Sequence, residues 1–279
     1  MNGMMEKIRG KLERVVPEAR RFLARLDVAD AFNRYRYYRN HAIALPVPPK
    51  TLRTLVGPDP GIEGFLATGQ RSVNDLKRAL ESVNRTLESF ESVLDFGCGC
   101  GRQIRWLADI PKPCRLHGTD VYVSAIRWNR RHLHFAEFES NGFYPPLPYP
   151  DGKFDLIYAI SVFTHLNEND QSAWIDELRR VASPAAIVVL TTQGHYALDA
   201  IRKGFLAGSA DFAARLNRHG DLSQEGAIFE PYARGGNYGM TFHDPDYVRA
   251  RWGQRFRIVK FIPKGMDGWQ DVTIMEKEK

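Results

Sequence analysis

The sequence predicts an α/β protein built on a doubly wound, mostly parallel sheet, and three observations carry that expectation. From Ser92 onward, short runs rich in Val, Ile, Leu and Phe alternate with stretches of helical periodicity. The first run ends in glycines at alternate positions, Gly97, Gly99 and Gly101, and a helical pattern opens at Arg102. The second run ends on a carboxylate, Asp120, 19 residues beyond the last of those glycines. Alternating strands and helices favour parallel strands joined by right-handed crossovers, with helices on both faces. In such sheets, ligands gather at the carboxyl ends of the strands, where the strand order reverses.

Taken in order, residues 1–44 read as helical, with apolar spacing in Ile8, Leu12, Val15 and Val16 and again in Phe22, Leu23, Leu26 and Val28. Pro17 stands as an interruption between the two sets. Pro46, Pro48 and Pro49 mark extended chain. Ser72 followed by Asp75 resembles a capping box and predicts a helix over 72–89. Thr68 and Gly69, just ahead of it, are either candidates to approach a bound cofactor or an ordinary turn. Residues 1–90 thus form a helical N-terminal extension that covers the ligand edge of a main domain, 91–279. In that domain the pattern predicts strands at 92–96, 115–120, 133–138, 154–160 and 186–192, with helices at 102–109, 123–132 and 168–182. A stretch of about 194–240 is longer than an ordinary connection. A helix over 247–252 and strands over 256–262 and 271–275 close the chain as a hairpin.

Bulk properties narrow the class. At 279 residues and 43% hydrophobic content the chain has ample material for a core, and no run of about 18 apolar residues predicts a membrane span. The N-terminus mixes acids and bases without an apolar signal core, so a soluble cytoplasmic protein is expected. Three cysteines, two of them inside the glycine run, argue against a disulfide framework and lack zinc-ligand spacing; no metal is expected. The net charge of +6 is compatible with a nucleic-acid partner or an anionic substrate. The bases are interleaved with acids, however, which disfavours nucleic acid. Their densest cluster, Arg34, Arg36 and Arg39 among Tyr35, Tyr37 and Tyr38, either grips a phosphate backbone or is a helix face packed on the main domain with solvated arginines; the second is favoured.

The glycine run carries the first chemical signal. Glycine lets the backbone turn tightly and approach a ligand, and the helix behind it offers unpaired amide donors. The spacing departs from the Gly-x-Gly-x-x-Gly dinucleotide fingerprint, which disfavours NAD. Asp120 is placed to accept both hydroxyls of a ribose, or else caps the helix starting near Val123. Asp95-Phe-Gly-Cys-Gly-Cys-Gly101 resembles the first motif of the class I S-adenosylmethionine-dependent methyltransferases. Pro146–Tyr158 resembles that family's run into its fourth strand, and Glu177–Pro184 leading into Ile187–Leu190 resembles its approach to the fifth. Where the family usually has a Pro-Gly-Gly turn, this chain reads Pro184-Ala185-Ala186. The resemblance spans about 92–192 and implies a Rossmann-like methyltransferase fold of seven strands, one of them antiparallel. It implies S-adenosylmethionine as cofactor, with Asp95, Gly97, Cys98, Gly99, Gly101, Arg102, Asp120 and Val121 about it. Val121 and Tyr122 would flank the adenine, Asn141 would stand where the family often has an Asp, and Ser161 would follow the fourth strand.

The acceptor is approached through the same resemblance. Ser161-Val-Phe-Thr-His-Leu166, Leu190-Thr-Thr-Gln-Gly194 and Gln270-Asp-Val272 are similar to bacterial methyltransferases that act on sugars and other small metabolites, which implies O-methylation of a saccharide or glycosylated product. A hydroxyl acceptor must lose a proton, and histidine is the usual base. His165, just past the fourth strand, and His195, just past the fifth, are the candidates; His243 reads as structural, with Asp244 capping the next helix. The 194–240 insertion is read as acceptor-binding through Tyr196, Tyr232, Arg234 and Tyr238, because loops on a rigid scaffold commonly carry recognition. Ile160-Ser161-Val162-Phe163 stands where amino-methylating enzymes carry an Asn-Pro-Pro-Tyr type of motif, which disfavours DNA bases and glutamine as acceptors. An RNA or protein methyltransferase, and a non-catalytic S-adenosylmethionine-binding protein, are the alternative readings; the oligomeric state stays open.

Overall fold

The computed structural model describes residues 16–41, 45–57, 59–111, 113–205 and 210–278; the helical expectation for 1–15 and 42–44, with Ile8, Leu12 and Val15, lies outside them. The chain forms two compact units, residues 1–65 and 66–279. In the first, α1 (Val16–Asn40) runs through Pro17 without a break. Proline in a first turn lacks only an N–H that has no partner there. Beyond the short α2 (Lys50–Arg53), the buried Asp30 carboxylate accepts from Arg53 Nη2 at 2.8 Å, Arg34 Nε at 3.0 Å and the Lys50 amide at 2.9 Å. A buried charge so fully paired is tolerated.

Helix α3 (Ile62–Glu81) corrects the expectation at Ser72. Ser72 lies inside the helix, and its hydroxyl donates to the Thr68 carbonyl at 3.0 Å and Asp267 Oδ2 at 2.8 Å. Serine can bond the carbonyl one turn back as readily as it caps, and here it does the former. Thr68 and Gly69 therefore sit on helix, not in a loop before one.

The second unit is built on β1 (Ser92–Phe96), β2 (Arg115–Asp120), α4 (Val123–His132), β3 (Ala136–Ser140), β4 (Phe154–Ala159), α5 (Glu168–Val181) and β5 (Ala182–Thr192). There follow α6 (His195–Arg202), α7 (Ala210–Leu216), α8 (Leu222–Glu225), the hairpin β6 (Ala227–Pro231) and β7 (Gly239–His243), α9 (Pro245–Trp252), β8 (Arg257–Met266) and β9 (Gln270–Glu276). The seven-stranded sheet has the order β3-β2-β1-β4-β5-β9-β8. Strands β1 to β5 pair in parallel, and β9 runs antiparallel between β5 and β8. The order reverses between β1 and β4. Every residue of β1 is buried, as expected of a strand covered on both faces. Leu94, Phe96 and Ile157 from the sheet pack with Trp174 and Leu178 of α5 and Trp252 of α9.

Three local expectations shift. Leu133 closes α4, its amide bonding the Asn129 carbonyl, so the third strand starts at Ala136 instead of 133. The helix expected over 102–109 is a single 3-10 turn, Ile104–Leu107. The Pro184-Ala185-Ala186 segment lies within β5, where Ala185 takes a left-handed φ of +62° and its amide donates to the Lys277 carbonyl. Glycine would adopt that conformation without strain.

The 194–240 insertion, of which 206–209 fall outside the described residues, has its own small core of Leu198, Ile201, Phe212, Leu216, Leu222, Ile228 and Phe242. Among the described residues, no helix is long and apolar enough to cross a membrane.

Candidate active site

The site is assembled from the carboxyl edge of the sheet. Gly97, Gly99 and Gly101 take φ values of +81°, +52° and +77°, the left-handed region that glycine alone enters freely. The Gly97 and Cys98 amides both donate to the Thr119 carbonyl, at 2.8 and 3.0 Å, tying the loop to the end of β2. Asn129 of α4 donates to the Gly99 carbonyl at 2.8 Å. Asp120 is held between the elements: Oδ2 accepts from the Gly99 amide and Oδ1 from the Tyr122 amide, each at 2.8 Å. Asp120 braces the turn into α4 without capping it, since Tyr122 holds the N-cap position, and it stands at the strand end beside the loop.

At the loop stand two ionisable groups, a buried Asp95 and a half-buried Arg102. Asp95 is buried, and burial raises its pKa to about 7 although the Tyr158 hydroxyl pulls the other way; Oδ2 has no hydrogen-bond partner of proper geometry. Burial lowers the pKa of Arg102, offset in part by Asp267, and its Nε is likewise unpaired. Buried polar atoms left unsatisfied beside a glycine cradle are what a charged ligand would complete. They fit the amino-acid end of S-adenosylmethionine as Asp120 fits its ribose. Cys98 enters only through its backbone, its buried Sγ turning to the Gly99 carbonyl and Asn129. Gly69 of α3 stands so close that a Cβ there would lie 2.1 Å from the Arg102 carbonyl, so this helix packs directly on the loop.

The neighbouring strand ends complete the edge. Asn141 accepts from the Thr119 hydroxyl at 2.9 Å, and its amide bonds the Asp120 carbonyl at 3.2 Å. Val121 is half-buried next to Asp120, with Tyr122 more exposed beyond it. Ser161 has a φ of +62°, its amide donating to Thr191 Oγ1 at 2.8 Å and its hydroxyl accepting from Gln270 at 2.7 Å. Asn129, Thr191 and Gln270 are contributors that sequence reasoning did not assign. Nothing in a pattern of apolar spacing distinguishes a buried polar residue that braces a loop from any other.

The expected acceptor residues separate into two groups. His165 Nδ1 lies 2.9 Å from the Gly239 carbonyl and 3.0 Å from the Tyr232 hydroxyl, with the Tyr238 ring 5.3 Å away. Burial lowers its pKa, opposed by the bond to Gly239. Tyr238 is near enough to Tyr122 and Asp120 for both to add to the burial that raises its own pKa to about 12. The loop of the β6–β7 hairpin also reaches Tyr144, whose hydroxyl accepts from Asn237 at 3.2 Å. His165, Tyr232 and Tyr238 thus stand together beside the cofactor edge. Tyr196, by contrast, packs on Trp269 and under the Lys264 ammonium, and the exposed Arg234 pairs with Asp211. His195 Nε2 is engaged by Asp244 Oδ2 at 2.8 Å. Burial would raise the pKa of Asp244, but the bonds from His195 and the Asp246 amide bring it below the usual value. The same carboxylate caps α9, as expected. His243 is buried against Gln171 at 2.9 Å, and burial lowers its pKa to about 3, a structural and uncharged histidine. Among the described residues no cluster of His, Cys, Asp and Glu could hold a metal ion.

This sheet order, with a glycine loop at the reversal and a carboxylate closing the next strand, is the fold of the class I S-adenosylmethionine-dependent methyltransferases, and S-adenosylmethionine is the cofactor that the methyltransferase domain and the solved relatives indicate. Residues 93–185 match the family model described as a methyltransferase domain. The chain is similar to a probable chloroplastic tocopherol O-methyltransferase of Oryza sativa subsp. japonica, 30% identical over 119 residues that cover 39% of this chain and 31% of the relative. It is also similar to a glycine/sarcosine/dimethylglycine N-methyltransferase of Actinopolyspora halophila, 26% identical over 177 residues, 60% of this chain and 29% of that protein. The chain thus spans about a third of the length of these curated relatives. Among solved structures, magnesium protoporphyrin IX methyltransferase from Synechocystis PCC 6803 with bound SAH shares the fold at a TM-score of 0.52 and 14% identity, covering 89% of this chain and 94% of that one.

Proposed function

We propose that this chain transfers a methyl group to a hydroxyl of a saccharide or glycosylated small molecule, with His165 as general base. The observation that carries the reading is the nitrogen His165 leaves free. With Nδ1 committed to the Gly239 carbonyl, Nε2 keeps a lone pair within an aromatic enclosure at the cofactor edge. When bound, S-adenosylmethionine supplies a methyl group already activated by its sulfonium. Asp120 would accept from the ribose hydroxyls, the side-chain-free glycine loop would let the cofactor lie close against the backbone, and Asp95 and Arg102 would meet its charged end. The acceptor hydroxyl would pass its proton to His165 Nε2 as its oxygen gains the methyl group.

Similarity alone does not choose the methylated atom, since one relative is an O- and the other an N-methyltransferase. A base with a free lone pair favours a hydroxyl, which is a poor nucleophile until its proton leaves. Tyr122, Phe143, Tyr144, Tyr232 and Tyr238 are all partly exposed. Such rings, apolar in body and, in the four tyrosines, polar at the tip, suit a ring-shaped, polyhydroxylated acceptor.

The test is a methyl-transfer screen over sugars, glycosides and RNA, run on wild type, His165→Gln and His195→Gln. Turnover of a saccharide is expected, reduced by about 10²–10⁴-fold in His165→Gln with SAH binding retained, and far less reduced in His195→Gln. Methylation of RNA in preference to sugars, or full activity in His165→Gln, would overturn the reading.

A further inference from the structure

The hairpin does more than border an acceptor cleft. The Thr241 amide donates to the Thr164 carbonyl at 2.8 Å and its hydroxyl to the Leu166 carbonyl at 2.6 Å. Leu166 and Tyr238 form a β-bridge, and the Gly239 amide meets the His165 carbonyl at 3.4 Å. The loop that carries the histidine is therefore sewn to β7 on both sides of it. Two oxygens, from Gly239 and Tyr232, then converge on the same ring nitrogen.

We propose that Tyr232 is a positioning residue for His165, its hydroxyl sharing the Nδ1 proton with the Gly239 carbonyl so that Nε2 faces the acceptor as a bare lone pair. A carbonyl can only accept, so Nδ1 must carry hydrogen; a bare Nδ1 would set one lone pair against another. The hydroxyl oxygen at 3.0 Å is then a second acceptor for that hydrogen. The arrangement matters most after proton transfer. The imidazolium that forms keeps its Nδ1–H between two oxygens, which strengthens the base at the moment it acts. The titratable groups standing against the ring are Tyr232 and Tyr238 from the hairpin. Burial raises both to about 12, so neither adds charge at neutral pH. Phe212 and Tyr238 hold the Tyr232 ring at 5.7 and 5.5 Å, so removal of the hydroxyl alone leaves those ring contacts available.

The inference rests on the reading of His165 as the base, yet its test needs no acceptor. The full chain is labelled with ¹⁵N-histidine, saturated with SAH and titrated by NMR, with His165 identified by its absence in His165→Gln. Wild type is expected to show the Nδ1–H tautomer at neutral pH. Tyr232→Phe should bind SAH unchanged while its His165 titrates lower by about half a unit to one unit, the worth of one lost hydrogen bond. An Nε2–H tautomer in wild type, or an unmoved titration in Tyr232→Phe, would overturn the proposal. These outcomes are distinct from failure of the parent reading, which is seen as absent SAH binding or as full turnover in His165→Gln.

Discussion

Asp120 shows what one carboxylate can organise. It receives the Gly99 and Tyr122 amides, so it fixes the glycine loop and the start of α4 while standing where a ribose would lie. Asp120→Ala should therefore weaken SAH binding by about 1–3 kcal/mol in calorimetry, with the far-ultraviolet spectrum unchanged. Two other residues set opposing pH dependences. His243 is held neutral by burial, its pKa lowered from 6.5 to about 3, so the folded chain binds fewer protons than the unfolded one between those values. Its contribution makes stability fall as pH falls from about 6.5. Asp95, raised from 3.8 to about 7 by burial, binds more protons folded than unfolded, so its contribution makes stability fall as pH rises across that range. Urea unfolding at stepped pH separates them. His243→Gln should remove the loss toward acid and Asp95→Asn the loss toward neutral; parallel curves for wild type and both variants would refute the assignment. The glycine run and Asp120 were legible in the sequence through their spacing and their place at strand ends. Asn129, Thr191 and Gln270 were not, since a polar side chain that braces a distant loop leaves no periodic trace.

At the scale of elements, strand–helix alternation located every strand of the parallel sheet to within a few residues. The misses arose where one local signal had two uses. Ser72 looked like a cap and instead bonds back into α3; residues 102–109 looked like a helix and hold a single tight turn. Helix α3 is consequently nearer the chemistry than a lead-in segment need be. Gly69→Ala would place a Cβ 2.1 Å from the Arg102 carbonyl, a backbone atom that cannot swing aside. That substitution should lower both the melting temperature and SAH affinity, whereas a glycine-to-alanine change in an unconstrained helix stabilises by about 1 kcal/mol. The hairpin allows a parallel test. A Cβ on Gly239 would lie 2.3 Å from the Glu230 carbonyl, so Gly239→Ala should speed hydrogen exchange across β6 and β7 and abolish turnover while SAH still binds. Intact exchange protection in that variant would refute the close approach.

For the whole molecule, the divided architecture makes its own prediction. Every residue placed at the cofactor edge belongs to the unit 66–279. A hundredfold excess of SAH over its dissociation constant adds about 2.7 kcal/mol to the state that binds it. In calorimetric scans the transition of that unit should rise by about 5–10 °C, and a transition belonging to residues 1–65, if resolved, should stay where it is. A shift of both together would show that the two units melt as one. The parallel-sheet class was readable at this scale because alternation and crossover handedness leave few topologies. The sewing of the insertion onto the β4–α5 loop was not readable. It depends on contacts between residues more than 70 positions apart, such as His165 and Gly239.

That seam bears on how such an enzyme can change. In the proposed reaction, the segment that borders the acceptor also holds the nitrogen that takes its proton, so specificity and reactivity are not separate modules. An exchange of residues 194–240 between related chains to install a new acceptor preference would carry away Tyr232 and Gly239 with it. Chimeras should work only when the loop bearing His165 travels in the same graft, and an isolated loop swap should yield proteins that hold the cofactor and do nothing with it.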